Sequence, residues 1–490
     1  MKRWLALAVA VFVAVAVWRG ISGEVRSKHL APPAQPLTVL LTCDVHGRLV
    51  PCGCFSGQLG GLTRIATLFG QKARTQIRVD AGDALAGSAD YERIQYRYIQ
   101  DAFARMGYDA LNIGQREAQL SAAQLRELKA STRVSMLSAN LIDKSTGAPL
   151  FDGYKIIQQD NWRVAVVGVL DGHGLGENLG AGLAIEDMDV ALGRLLPQLK
   201  DRADFIMLLA FADEAAITNL ARQFYELDIT LGGKVRQPSQ QLIKENRSLI
   251  LATTNEARAV GILQVTSRGP HQLDAVKGEV KLVSDQIPQD ADVAALATAY
   301  RKEIRDTKLA VDDPATLRED MVPGVQPRNA YAGSQSCAPC HASAYKVWHE
   351  TGHARAFATL TAFQADADPN CLTCHTVGFG TPSGYRREAG PASQFLDVGC
   401  ESCHGPGSEH VQLRKSGGEI TAHFRPVGAG DCQKCHHGEF SRPFDYAEFW
   451  PHVAHGKEAG PPPPPATPSP KLSAEPEPTA TPKIRLKHTK

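Results

Sequence analysis

Between residues 37 and 285, short apolar runs alternate with amphipathic stretches. Leu37–Thr42, Ile77–Asp80, Val164–Leu170, Phe205–Ala210, Ile229–Leu231 and Leu249–Ala252 are almost continuously apolar, the pattern of strands buried on both faces. Tyr91–Met106, Ala122–Ala130, Val190–Lys200 and Asp213–Glu226 carry helical periodicity between them. This alternation predicts an α/β domain over 37–285, with layered sheets flanked by helices. Ala291–Leu309 reads as one more amphipathic helix, and Asp312 to Asn329 as a linker, so that 286–330 is helix plus linker. Residues 331–458 show few legible strands and frequent Gly and Pro, which predicts a second, mainly α and irregular module. Residues 459–490, with Pro461–Pro465, cannot build a core and are expected to be a disordered tail. At the other end, Met1-Lys2-Arg3 precedes an apolar run from Trp4 to Trp18, so residues 1–24 read as a signal peptide or an N-terminal membrane anchor.

Composition is ordinary for a globular protein at 43% hydrophobic and 21% charged, and a formal net charge of +1 argues against nucleic acid as a partner. The 11 cysteines change the picture. Eight lie in four copies of Cys-x-x-Cys-His: Cys337/Cys340/His341, Cys371/Cys374/His375, Cys400/Cys403/His404 and Cys432/Cys435/His436. Chance would give roughly 0.008 such motifs in the whole chain. Each is the attachment signature of a c-type haem, with two thioether links and a proximal His on the iron. A zinc site would leave the four appended His unexplained. The second module is therefore expected to hold four covalent haems, packed close by the short motif spacing. Covalent haem attachment outside the cytoplasm agrees with the N-terminal signal, so the expected location is the periplasm, with the N-terminal helix able to tether the chain to the inner membrane. Seven further His stand in this module, enough for mostly bis-His coordination, which favours low potentials and electron transfer.

Three segments carry a resemblance: Trp348-x-x-x-Gly352-His353-Ala354, Cys400 to Gly407 with His410, and Tyr446-x-x-x-Trp450-Pro with His455-Gly456. Here the module resembles the tetrahaem cytochrome c-554 family. The resemblance implies distal iron roles for His353, His410 and His455. His423 or His349 is the candidate for the fourth iron, or that iron is five-coordinate and open.

In the first domain a strand runs into Asp44-Val45-His46-Gly47, and another ends in Asp80-Ala-Gly82-Asp83. With Gly60-Gly61-Leu-x-Arg64, Asn112-Ile-Gly114, Ser138-Ala-Asn140 and Asp228-x-x-Leu-Gly232-Gly233 in order, the domain resembles calcineurin-like metallophosphoesterases of the 5′-nucleotidase (UshA-type) branch. That resemblance implies a two-metal centre that lowers the pKa of an attacking water. Asp44, His46 and Asp83 match its pattern. Gln115-Arg116 stand where the family has Asn-His, Phe211 where it has a His, and Lys234 and Arg236 where it has two more. One residual divalent metal is expected, not two, and Arg116, Lys234 and Arg236 either form an anion site or neutralise Asp44 and Asp83. Cys43, Cys52 and Cys54 cluster in sequence beside this site. Cys-Gly-Cys resembles a variant branch in which one Cys is selenocysteine, so Cys52 and Cys54 are the candidate redox pair, with a disulfide, a loop staple or a metal site with Cys43 and His46 as alternatives.

The expected function is electron transfer by an exported tetrahaem cytochrome, with delivery to Cys52/Cys54 as its sharper form. A nucleotidase with a rearranged metal site, and an anion-binding module tethered to an electron carrier, are the alternatives. Expected partners are redox proteins or a quinone-linked donor and a small anionic substrate.

Overall fold

The structure is a computed structural model and describes residues 35–51, 58–254, 256–313, 329–419, 424, 426–436 and 444–456. The N-terminal apolar run, Cys52, Cys54, His423, most of the linker and the Pro-rich tail lie outside the described residues. The chain divides into two compact units, one built mainly from Gln95–Ala294 with the segments ending at Pro51 and Ser88, the other mainly from Ala295 onwards.

Two six-stranded sheets carry the first unit. The first has a parallel core of β1 (Leu37–Thr42), β2 (Gln76–Asp80), β3 (Ala110–Asn112) and β4 (Ser135–Leu137). A small antiparallel sheet of β5 (Leu141–Asp143), β6 (Ala148–Pro149) and β9 (Leu183–Ile185) accompanies it. In the second large sheet, parallel pairing joins β8 (Trp162–Leu170), β10 (Phe205–Phe211), β11 (Ile229–Gly233) and β13 (Ser248–Ala252). Antiparallel strands β7 (Tyr154–Gln159) and β12 (Ile243–Glu245) close its edges, giving the order β12-β13-β11-β10-β8-β7. The antiparallel hairpin of β14 (Ala259–Gly269) and β15 (Gln272–Leu282) returns to the first sheet, whose order is β15-β14-β1-β2-β3-β4. The expected strands are present within a few residues. The hairpin, β3, β4 and the edge strands are additions that make both large sheets mixed rather than parallel throughout.

The large sheets face one another. A side chain on Gly168 of β8 would put its Cβ 2.5 Å from Asn112 Oδ1 and 2.9 Å from the Leu137 carbonyl, so only glycine fits. Asn112 donates across the gap to the Val169 carbonyl at 2.9 Å and to the Ala81 carbonyl at 3.0 Å. The apolar runs of β8 and β10 are buried almost from end to end, as their sequences require. Trp162 is fully buried, its ring centroid 5.0 Å from that of Phe205. Outer helices cover the sheets; Ala191, Leu192, Leu196 and Leu199 of the Met188–Leu199 helix share a core with Val167, Leu208 and Leu220.

The second unit is built of short helices and turns. Its buried apolar side chains from residue 329 on, among those described, reduce to Ala356, Phe357, Leu360, Ala365, Leu372, Val377 and Tyr385. So small a protein core for some hundred residues requires another source of buried apolar surface. No helix among the described residues is long and apolar enough to cross a membrane.

Candidate functional site

Parallel strands deliver their loops to one end of the sheets, where ligand crevices of α/β proteins form. β1 delivers Asp44 and His46, β2 delivers Asp83, β11 delivers Lys234, and the loop after β13 delivers Thr254 and Glu256. Asp44, His46, Asp83, Lys234 and Glu256 all have positive φ (58°, 48°, 63°, 61° and 52°). Non-glycine residues avoid that region, and their concentration at one strand-end rim is backbone strain held at a site. Gly114 lets the β3 loop close onto Asp83, since a Cβ there would lie 2.2 Å from the Asp83 amide nitrogen.

One ligand atom each from Asp44, His46 and Asp83 falls within 4.8 Å of the others, so the expected residual trio does come together. His46 Nε2 is 2.8 Å from Asp44 Oδ1 and 3.6 Å from Asp83 Oδ2, yet it is buried without a hydrogen-bond partner. A buried ring nitrogen close to two carboxylates and in line with neither fits a shared cation, and Asp-His-Asp donors suit a first-row divalent ion. The donor set offers O, N, O to one metal. Cys43 is not in it. Cys43 is fully buried, its Sγ donates to the Gly82 carbonyl at 3.4 Å, and it packs so closely on β11 that a Cβ on Gly233 would lie 1.9 Å away. Burial, then Asp80 and Asp44, pushes its thiol well above the ordinary range, so it stays protonated.

Burial pulls the His46 pKa down, but the carboxylates of Asp44, Asp83 and Glu256 around the ring outweigh it and carry the pKa up to about 11; a cation held between Asp44 and Asp83 would take the place of that proton. Arg116 stands on Asp83: its backbone N–H donates to Oδ1 at 2.7 Å and its Nε is 3.4 Å from Oδ2. Lys234 Nζ donates to the His173 carbonyl at 3.1 Å and lies 3.4 Å from Asp171 Oδ2. Arg236 is exposed, with its backbone N–H on Glu214. Arg116 and Lys234 thus engage different carboxylates. Buried Glu117 accepts from the amides of Asp83, Leu85 and Gly114, and burial with the Asp83 charge raises its pKa. Residues missed from sequence are Thr254, whose hydroxyl donates to Asp44 Oδ2 at 3.1 Å, and Glu256. No spacing rule links them to a motif some 210 positions earlier.

In the second unit each Cys-x-x-Cys-His closes on a turn or a short helix. Helix Pro369–His375 carries the second motif and is capped by Asp368, which accepts from the Asn370 amide at 3.0 Å. Helix Cys400–His404 carries the third. Inside it, buried Glu401 accepts from the amides of Ala332, Gly333 and Gly407 at 2.8–2.9 Å, pinning two chain segments to the motif. The Cys337 and Cys400 thiols touch, as do Cys374 and Cys435, and Cys403 lies beside Cys432 and Cys435. Thiol contacts thus join the first motif to the third and the second to the fourth, and the third and fourth are neighbours.

Cys340 departs from the other haem-attachment cysteines expected from the sequence. Cys337, Cys371, Cys374, Cys400, Cys403, Cys432 and Cys435 are half-buried, whereas Cys340 is exposed.

Three motif histidines face a second imidazole. Ring centroids are 6.2 Å apart for His341 and His410, 5.9 Å for His404 and His455, and 6.0 Å for His436 and His353. Two metal–nitrogen bonds of about 2 Å, with about 1 Å from each nitrogen to its ring centre, give about the same separation. His375 holds the Ala356 carbonyl through Nδ1 at 2.7 Å, and His455 the Val453 carbonyl at 2.8 Å, the orienting contact typical of iron-bound imidazoles. Among the described residues no imidazole faces His375. His349 packs on Tyr345 and Trp348 instead.

Residues 336–405 match the family described as cytochrome c554 and c-prime. Cytochrome c-554 of Nitrosomonas europaea is 36% identical over 103 residues, covering 18% of this chain and 43% of that protein. A 5′-nucleotidase of Vibrio vulnificus is 27% identical over 279 residues, covering 50% of this chain and 49% of the relative. The chain thus spans half or less of these relatives' lengths. Among solved structures, a 5′-nucleotidase precursor from Thermus thermophilus superposes with a TM-score of 0.49 at 23% identity, over 55% of this chain and 59% of that one.

Proposed function

From a chain that joins a cytochrome c554 domain to a 5′-nucleotidase-like, calcineurin-type phosphoesterase fold, we propose an exported electron-transfer protein whose second unit holds four c-type haems. The carrying observation is the three facing imidazole pairs, each joining a motif His to one of His353, His410 and His455. When bound, haem iron supplies one-electron transfer between ferric and ferrous states. The chain's own part would be to hold three irons through the imidazole pairs and the fourth through His375, which among the described residues faces no second imidazole. Glu401 and Asp368 fix the helices that carry the third and second motifs. Covalent attachment through eight cysteines supports a periplasmic location, and the N-terminal apolar run supports a membrane tether.

With no imidazole facing His375 among the described residues, and His423 outside them, the fourth iron site is read as open. Titration of the reduced holoprotein with carbon monoxide should saturate at about one ligand per four haems. No binding, with every haem low-spin, would refute an open site at His375.

The first unit is read as a one-cation site rather than a two-metal hydrolase. Phe211 offers no ligand, and Arg116 and Lys234 bring positive charge to the rim. A rearranged nucleotidase would instead show metal-dependent phosphate release from AMP. Cys52 and Cys54 remain the candidate redox pair supplied by the haem module, acting on a small oxidised anion. Cys43 does not serve as a third thiol, because its burial keeps it protonated. Cys54→Ser should abolish turnover of such an acceptor and leave haem reduction unchanged; equal turnover in the variant would remove the pair from the function.

A further inference from the structure

The loop between β13 and β14 reaches the rim with two side chains, and neither belongs to the motifs of the site. Thr254 donates to Asp44 Oδ2 at 3.1 Å. Glu256 puts Oε1 3.4 Å from His46 Nδ1 and takes a 2.9 Å hydrogen bond from Arg48 on Oε2. Arg48 and Glu256 are both largely buried, with 14% and 22% of their side chains exposed, so the pair is held away from bulk solvent. The other ring nitrogen of His46 is the one that faces Asp44 and Asp83 without a hydrogen-bond partner. Both Glu256 and Ala257 sit at positive φ (52° and 61°), and Gly60 packs so tightly on Ala257 that a Cβ there would lie 2.9 Å from its carbonyl. The loop is therefore held in an unfavourable shape that aims Glu256 at the imidazole.

We propose that Glu256, braced by Arg48, is the positioning residue of a single divalent-cation site formed by Asp44, His46 and Asp83. The proposal rests on the one-cation reading above. A carboxylate on Nδ1 keeps the proton on that nitrogen, turns the ring, and leaves the Nε2 lone pair for the ion; metal-bound imidazoles commonly depend on such a partner. Thr254 does the same for the Asp44 carboxylate. The geometry makes the β13–β14 loop the orienting arm of the site, although it supplies no ligand.

The test is binding of Mn²⁺ to the full-length holoprotein, read from loss of the aqueous six-line EPR signal and from the spectrum of the bound ion. Wild type should bind one Mn²⁺ per chain, and Asp44→Asn none. Glu256→Gln should weaken binding ten- to a hundredfold and alter the bound-ion spectrum. Glu256→Asp keeps the charge but is one methylene too short, so it should lose affinity as well. Thr254→Val should lose less, and it supplies the test if the Glu256 variants do not fold. Full affinity in Glu256→Asp would mean that Glu256 contributes charge alone, and full affinity in Glu256→Gln, or in Thr254→Val where that is the test, would end the positioning role. Failure of wild type to bind Mn²⁺ at millimolar concentration would overturn the one-cation reading itself, with His46 and Arg116 then neutralising the carboxylates.

Discussion

His271, at the tip of the β14–β15 hairpin, donates from both ring nitrogens. Nδ1 meets buried Asp228 at 2.7 Å and Nε2 meets the Lys200 carbonyl at 3.0 Å. Both partners are acceptors, so the ring must be an imidazolium. Burial opposes that charge, and Asp228 more than offsets it, raising the pKa above its ordinary value of about 6.5. The stabilisation is then complete below about pH 6.5 and is lost as pH rises through the higher folded value. Urea unfolding of the first unit, followed by circular dichroism, should show a midpoint falling as pH rises above about 6.5. His271→Asn should flatten that slope; an unchanged slope would assign it to other groups. The site was legible unevenly at this scale. Asp44, His46 and Asp83 declared themselves through short motifs, each a few residues long. Thr254 and Glu256 meet them only because β14, which follows their loop, pairs with β1, a neighbourhood that no local pattern encodes.

Elements were legible in proportion to how unbroken their apolar runs are. The strands of six or more apolar residues were evident, because an unbroken buried run has no other simple reading. The strands Ala110–Asn112 and Ser135–Leu137 are three residues each, too short to show a period. The hairpin alternates buried and half-buried positions over much of β14, but register shifts at Gln264/Val265 and Ser267/Gly269 interrupt the alternation, which hides it from a period-two search. The Ala122–Ser131 helix was readable from its start. Ser121 accepts from the Gln124 amide at 3.3 Å while Gln124 accepts from the Ser121 amide at 2.9 Å, a reciprocal cap. Ser121→Ala should cost about 1 kcal/mol of first-unit stability, measured as a lower urea midpoint, and Ser121→Asp should restore most of it.

For the whole molecule, the two-part organisation was visible because the parts obey different rules. One part buries strands and shows it in apolar runs. The other has a small protein core and shows itself through repeated Cys-x-x-Cys-His. What the repeats did not reveal is their order in space, since sequence counts them one to four while the thiol contacts join the first to the third and the second to the fourth. That interleaving bears on biogenesis. As the chain is made from its N-terminal end, no contacting pair is complete until the third motif has been added. The first motif can close on the third at that point, whereas the second has its partner only when the fourth follows. The segment between the first and third motifs is thus the part of the unit that waits longest for its contacts.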